Sequence, residues 1–236
     1  MKRKFILVVD VETANSTDDA LVYDLGFAVV DKQGRIYESH SLIISDIFYK
    51  ESELMQSAYY AVKIPMYLKG IEEGKFEVVN FYTARKLVLE VMKRWNINTV
   101  AAYNANFDLS ALNTTLRFLT KSKMRFFFKY GTKFECIWSM ACQVLYTQKS
   151  FVRFAFKNGF MSPAGNLQTS AEVGYRYLTG ITEFEEDHTG LADVKIEAQI
   201  MARCLRQRKT MKRTINRYCW TIPQKVRKEM QAKGEI

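Results

Sequence analysis

Three short segments of the 236-residue chain carry side chains whose types and spacing could do chemistry together. The first is Asp10-Val11-Glu12, which closes an apolar run. In a strand, side chains two apart share a face, so both carboxylates point the same way. Burying them unpaired is costly. Divalent cations are a simple answer, because oxygen ligands suit Mg2+ and Mn2+. Taken alone, the pair also reads as two solvated acids at a strand end. The second segment is Tyr103-Asn104-Ala105-Asn106-Phe107-Asp108, where a short strand runs into a helix. Asp108 falls in the first turn, where the helix dipole favours an acid, so ordinary capping would explain it by itself. The third is His188-Thr189-Gly190-Leu191-Ala192-Asp193, preceded by Glu183, Glu185, Glu186 and Asp187. Asp193 sits one turn into the helix that follows, and His188 lies on the loop before it. The other histidine, His40, lies mid-strand with no evident acidic partner and reads as structural.

The elements that must position these groups can be read from apolar periodicity. Residues 4–10 form a continuous apolar run ending in acids, as a central strand does. Residues 21–30 and 35–44 read as two more strands, joined by the turn signal Asp31-Lys32-Gln33-Gly34. A short helix is expected over 51–60, and an irregular stretch around Pro65 and Gly70. Residues 80–95 read as a helix capped by Asn80, with Val88, Val91, Met92 and Trp95 at three-to-four spacing. A buried strand over 98–103 and a helix over 107–119 follow. Helices are expected over 136–146, 167–178, 190–208 and 222–232. The alternation in Phe151-Val152-Arg153-Phe154-Ala155-Phe156-Lys157 suggests a hairpin strand. No internal repeat is found. Early strands followed by helices give a mixed α/β domain.

The composition, 48% hydrophobic with only three prolines, supports one sizeable core and argues against disorder. No apolar stretch reaches the length of a membrane span. The opening Met1-Lys2-Arg3-Lys4 meets five apolar residues and then Asp10, which reads as a buried strand and not a signal peptide. A cytoplasmic protein is therefore expected. Cys136, Cys142, Cys204 and Cys219 show no zinc-finger or redox spacing and read as free thiols. The net charge of +10 is uneven. Residues 195–236 hold twelve Lys/Arg and three Glu, a net of +9, against +1 for residues 1–194. Such asymmetry suggests a polyanionic partner.

The ordered set Asp-X-Glu-Thr, then Asn-X-X-Phe-Asp, then His-X4-Asp resembles the DEDDh 3′–5′ exonucleases. That family includes the proofreading subunit of bacterial DNA polymerase III, RNase T and oligoribonuclease. Leu167-Gln168-Thr169-Ser170-Ala171, leading into the histidine motif, and the three-strand opening agree with it. The resemblance implies a ribonuclease H-like α/β fold, with a mixed five-stranded sheet flanked by helices. It covers roughly residues 4–205, so an exonuclease domain is expected over 1–205, and the charge distribution leaves a basic, part-helical tail over 206–236. Asp10 would bridge two cations, Mg2+ or Mn2+. Glu12 and Asp193 would complete one site, and Asp108 would help hold the second, partly through water. His188 would deprotonate the attacking water, and a neutral imidazole titrating near 6.5 suits that role. Two cations about 3.5–4 Å apart can stabilise both ends of an in-line displacement at phosphorus.

Thr13, Asn104 and Phe107 are the expected substrate contacts. The loop after Thr13 reads Ala14-Asn15-Ser16-Thr17, where many members have Thr-Gly, so contacts to the terminal nucleotide should differ. The expected reaction releases nucleoside monophosphates from a single-stranded or frayed 3′ end of DNA. An RNA-trimming enzyme and a catalytically silent nucleic-acid-binding module are the alternatives, and the presence of all five residues argues against the latter. The basic-aromatic stretches 121–133 and 151–160 could flank the cleft by stacking bases. The tail could follow phosphates or dock on an acidic partner such as a DNA polymerase.

Overall fold

In the computed structural model, residues 4–56, 61–123 and 125–236 are described. Among them, six strands form one sheet in the order β4-β3-β2-β1-β5-β6. These are β1 (Ile6–Ala14), β2 (Leu21–Val30), β3 (Ile36–Ile44), β4 (Glu77–Val79), β5 (Thr99–Ala102) and β6 (Lys133–Cys136). β1, β2 and β3 form an antiparallel meander, while β5 runs parallel to β1 and β6 parallel to β5. β4 is parallel to β3. The sheet thus has one strand more than the five that the resemblance implies.

The chain's first half supplies α1 (Ser45–Phe48), α2 (Ser52–Gln56), α3 (Ile64–Glu72), α4 (Phe81–Arg94) and α5 (Ala105–Thr120). The second half supplies α6 (Ile137–Val144), α7 (Lys149–Lys157), α8 (Ala171–Thr179), α9 (Gly190–Arg206) and α10 (Thr221–Ala232). β1 alternates between two cores, as a strand covered on both faces must. Leu7, Val9 and Val11 pack into a core shared with α4 and α5. Ile6 and Val8 pack into a second core shared with α6 to α9. Asp10 and Glu12 continue the second series, so their side chains emerge on the side that α9 covers. Asn80 caps α4, its side chain accepting from the Thr83 N–H at 2.8 Å.

Three expectations are revised. Residues 151–157 are helical, not a hairpin strand. Phe151, Val152 and Ala155 are buried while Arg153 and Phe156 are exposed, which is helical spacing that a short apolar run can disguise as alternation. The stretch around Pro65 is the helix α3, with proline in its first turn, where its missing N–H costs nothing. His40 does have an acidic partner, since its Nε2 lies 2.9 Å from Glu38 Oε1, two residues away on the same face. The helix expected over 51–60 is seen as α2, and residues 57–60 lie outside those described.

The helix expected from 167 starts only at Ala171. Ser170 caps it by accepting from the Val173 N–H. All four cysteines are free and buried. No helix among the described residues is long and apolar enough to cross a membrane. Residues 206–236 pack on the body of the protein. Cys219 and Met230 are buried in the second core, and the Gln224 amide hydrogen-bonds both the N–H and the C=O of Leu167, at 2.8 and 3.1 Å.

Candidate active site

The acids gather beside β1, the strand at which the sheet changes from antiparallel pairing, with β2, to parallel pairing, with β5. In open α/β sheets, sites form beyond the carboxyl ends of strands at such a change of direction. Asp10 and Glu12 come from the second half of β1. β5 ends at Ala102, and Asn104 leads into α5, which carries Asp108 in its first turn. Asp108 is buried, with the backbone N–H of Val11, which lies between the two strand acids, near enough to lower its pKa.

α9 brings the third segment in, and two glycines allow it. Gly26 on β2 stands opposite Asp10 in the ladder. A β-carbon on Gly26 would lie 2.0 Å from the Gly190 carbonyl carbon. One on Gly190 would lie 2.4 Å from the Gly26 nitrogen and 3.0 Å from the Asp10 carbonyl oxygen. Only glycine at both positions lets the start of α9 sit on the sheet backbone.

Thr189 makes no side-chain cap. Instead the Gly190 N–H donates to Asp24 Oδ2 at 3.0 Å. The Tyr67 hydroxyl donates to the same oxygen at 2.9 Å and lies 3.3 Å from the His188 carbonyl oxygen. Asp24 pairs with Glu12 across the β1–β2 ladder and is fully buried. A buried carboxylate from β2 therefore anchors the amino end of α9, where the helix dipole favours it.

Glu12, His188 and Asp193 each offer an atom within 4.8 Å of the others. His188 adopts a left-handed conformation (φ 49°) on the loop before α9, and its Nδ1 lies 3.9 Å from Glu186 Oε2. Asp10, Asp108, Asp193, Glu186 and Glu197 line one cavity of about 230 Å³, together with Asn104 and Phe107. The five acid and histidine positions expected from the sequence are thus brought to one place. Of the three expected substrate contacts, Asn104 and Phe107 line that cavity. Thr13 lies outside its lining, next to Glu12, where the β1–β2 register shifts.

The electrostatics are those of too many carboxylates in too little water. Burial raises the pKa of Asp10 well above the usual range, and the charges of Glu197, Asp108, Asp193 and Glu12 add to it. Burial, with Asp193 and Asp24 nearby, pushes Glu12 up to about 9. Burial and Glu186 push Asp193 up to about 8, and burial pushes Asp108 up to about 7. Such a cluster cannot ionise fully unless protons or cations neutralise it. Asp193 Oδ1, Glu197 Oε2, Glu186 Oε1 and Asp24 Oδ1 are buried without a hydrogen-bond partner among the described residues. Hard oxygen donors of this kind fit Mg2+ or Mn2+. His188 is shifted the other way, below its ordinary value, by burial and by the Lys63 ammonium.

Four residues here escape a reading of the sequence. Asp24 sits inside a strand that is otherwise apolar, and Glu197 reads as one more charge on an amphipathic helix. Glu186 is one of four acids in a run that gives no reason to prefer it. Lys63, whose ammonium donates to the Asp187 carbonyl oxygen, comes from the poorly patterned stretch 46–78. The spacing of Asp193 and Glu197, four apart on one helix face, is a signal that could have found Glu197. The basic-aromatic stretch 121–133 is divided. Phe127 and Phe128 are buried, while Phe126 and Tyr130 are exposed.

No family model matches the chain, and no curated protein does. Among solved structures it is similar to E. coli exonuclease I in complex with a 5cy-dT13 oligonucleotide. The TM-score is 0.50 at 11% identity, over 87% of this chain and 42% of that one. The zinc-bound E. coli exonuclease I–ssDNA complex gives 0.47 at 12% identity, over 88% and 41%. A product-bound exonuclease I gives 0.47 at 14% identity, over 88% and 44%. The chain spans less than half the length of these proteins. It shares with exonuclease I the ribonuclease H-like fold, a mixed sheet flanked by helices.

Proposed function

We propose that this protein is a metal-dependent 3′–5′ exonuclease of the DEDDh type, acting on single-stranded or frayed DNA. The observation that carries this reading is the meeting of three distant segments: Asp10, Asp108 and Asp193 line one acidic cavity, and Glu12 and His188 converge on Asp193. Bound divalent cations would supply charge stabilisation to the attacking and leaving oxygens of the phosphodiester. Asp10, Glu12, Asp108 and Asp193 would hold them. His188 accepts the proton of the attacking water. Its lowered pKa keeps the imidazole neutral near pH 7, and its loop position leaves the ring one-third exposed. Glu186 lies 3.9 Å from Nδ1, where its charge would stabilise the imidazolium that forms. Asn104, exposed at the mouth of the cavity, and Phe107, half-buried in its wall, contact the terminal nucleotide.

The basic segment after α9 supports a polyanionic substrate. Arg217 donates to Asn106 Oδ1 at 3.0 Å, which brings that segment to the start of α5 beside the cavity. E. coli exonuclease I, similar in fold, binds a 5cy-dT13 oligonucleotide, which favours DNA as the first substrate to try. The test uses single-stranded DNA and RNA labelled at either end, with Mg2+ or Mn2+ and with chelator. A 5′-labelled ladder that vanishes with chelator is expected. Digestion that proceeds only from the 5′ end would overturn the assignment.

A further inference from the structure

Glu197 lies one turn beyond Asp193 on the same face of α9, and it is only 2% exposed. The Tyr103 backbone N–H, just past the end of β5, lies near its carboxylate. Its Oε2 has no hydrogen-bond partner among the described residues. It lines the same cavity as Asp10 and Asp108. The other buried side chains of α9 are apolar except for Asp193. A buried, half-satisfied carboxylate is expensive beside other carboxylates, and an apolar residue of similar size would remove that expense. A cation removes it too. Glu12 and Asp193 already converge at one point, with His188 beside them. Glu197, Asp10 and Asp108 share the cavity wall, close enough that their charges act on one another.

We infer that Glu197 is a direct ligand of the second divalent cation, sharing it with Asp10 and Asp108. The inference rests on reading the site as a two-cation hydrolytic centre. With three carboxylates, the second cation would bind before the nucleic acid arrives, without relying on substrate phosphate oxygens to complete its coordination.

The experiment is titration of the full chain with Mn2+ alone, without nucleic acid, by calorimetry and by electron paramagnetic resonance of the free ion. The wild type should take up two ions. Glu197→Gln should weaken the second by at least about tenfold and leave the first in place, and Glu197→Asp should restore part of the loss. Circular dichroism and thermal melting establish that each variant is folded. Two ions bound with unchanged affinity in Glu197→Gln would overturn the role of Glu197 and leave the two-cation reading intact. A wild type that binds no Mn2+ would overturn both.

Discussion

Asp24 Oδ2 accepts the Gly190 N–H at 3.0 Å, across 166 residues of sequence. This bond ties the strand that faces Glu12 to the helix that carries Asp193. It accounts for a buried carboxylate that belongs to none of the sequence motifs. Asp24→Ala leaves the Gly190 N–H and the Tyr67 hydroxyl without their shared acceptor. Two buried donors are affected, so a loss of about 1–3 kcal/mol in urea unfolding is expected. Activity should fall further than that loss explains, because the His188 loop is anchored by the same contact. A variant as stable and active as wild type would remove Asp24 from the positioning of α9.

Gly26→Ala tests the close approach directly. The added methyl would meet the Gly190 backbone at 2.0 Å, and neither strand nor helix has a flexible side chain there to move aside. Overpacking of this kind costs about 1–3 kcal/mol. The sharper expectation is functional. Displacing α9 moves Asp193 and Glu197 away from Asp10, so Mn2+ affinity should drop in the folded variant.

The acid cluster makes stability depend on pH and metal together. Glu12, Asp193 and Asp108 titrate at about 9, 8 and 7 in the metal-free fold. Unfolded carboxylates titrate near about 4. Between these limits the native state binds more protons than the unfolded one, so metal-free stability falls as pH rises. The metal-free protein should therefore melt higher at about pH 6 than at about pH 8.5. Mg2+ or Mn2+ binds the ionised form, so its stabilising effect should grow across the same interval. A melting temperature indifferent to divalent cations at both pH values would contradict a metal site here.

Glu38 gives the opposite sign, far from the cavity. Burial would raise its pKa, but hydrogen bonds from His40 and Trp95 and the charge of Arg94 outweigh it and hold it below the usual value. Its contribution is present above the unfolded carboxylate pKa and is lost as pH falls through the depressed folded value. Glu38→Gln should lower the melting temperature at neutral pH and flatten its decline in acid. Nuclease activity should be unaffected.

The motif residues are legible in the sequence because their spacing survives translation into geometry. Asp10 and Glu12 share a strand face, and Asp108 and Asp193 each sit in the first turn of a helix. The central strands are legible for the same reason, since β1 and β2 are continuous apolar runs. Edge strands are not. β4 has only three residues, and Glu77 and Val78 in it are exposed, so no alternation marks it. Helix α7 passes for a strand because Phe151, Val152 and Ala155 satisfy a helical face within a run too short to separate the two periods. Asp24 stays hidden because a single acid inside an apolar strand acquires meaning only from what tertiary packing sets opposite it.

The most direct measurement compares wild type with Asp10→Asn on 5′-labelled single-stranded DNA, with matched purification and Mg2+ or Mn2+. Asp10 is half-buried at the centre of the acid cluster, and its amide variant keeps its shape while removing the charge that both cation sites would use. The wild type should generate a chelator-sensitive ladder shortening from the 3′ end, and Asp10→Asn should be slower by at least about 100-fold. Equal rates for the two proteins, or a ladder that survives chelator, would contradict metal-dependent hydrolysis at this site.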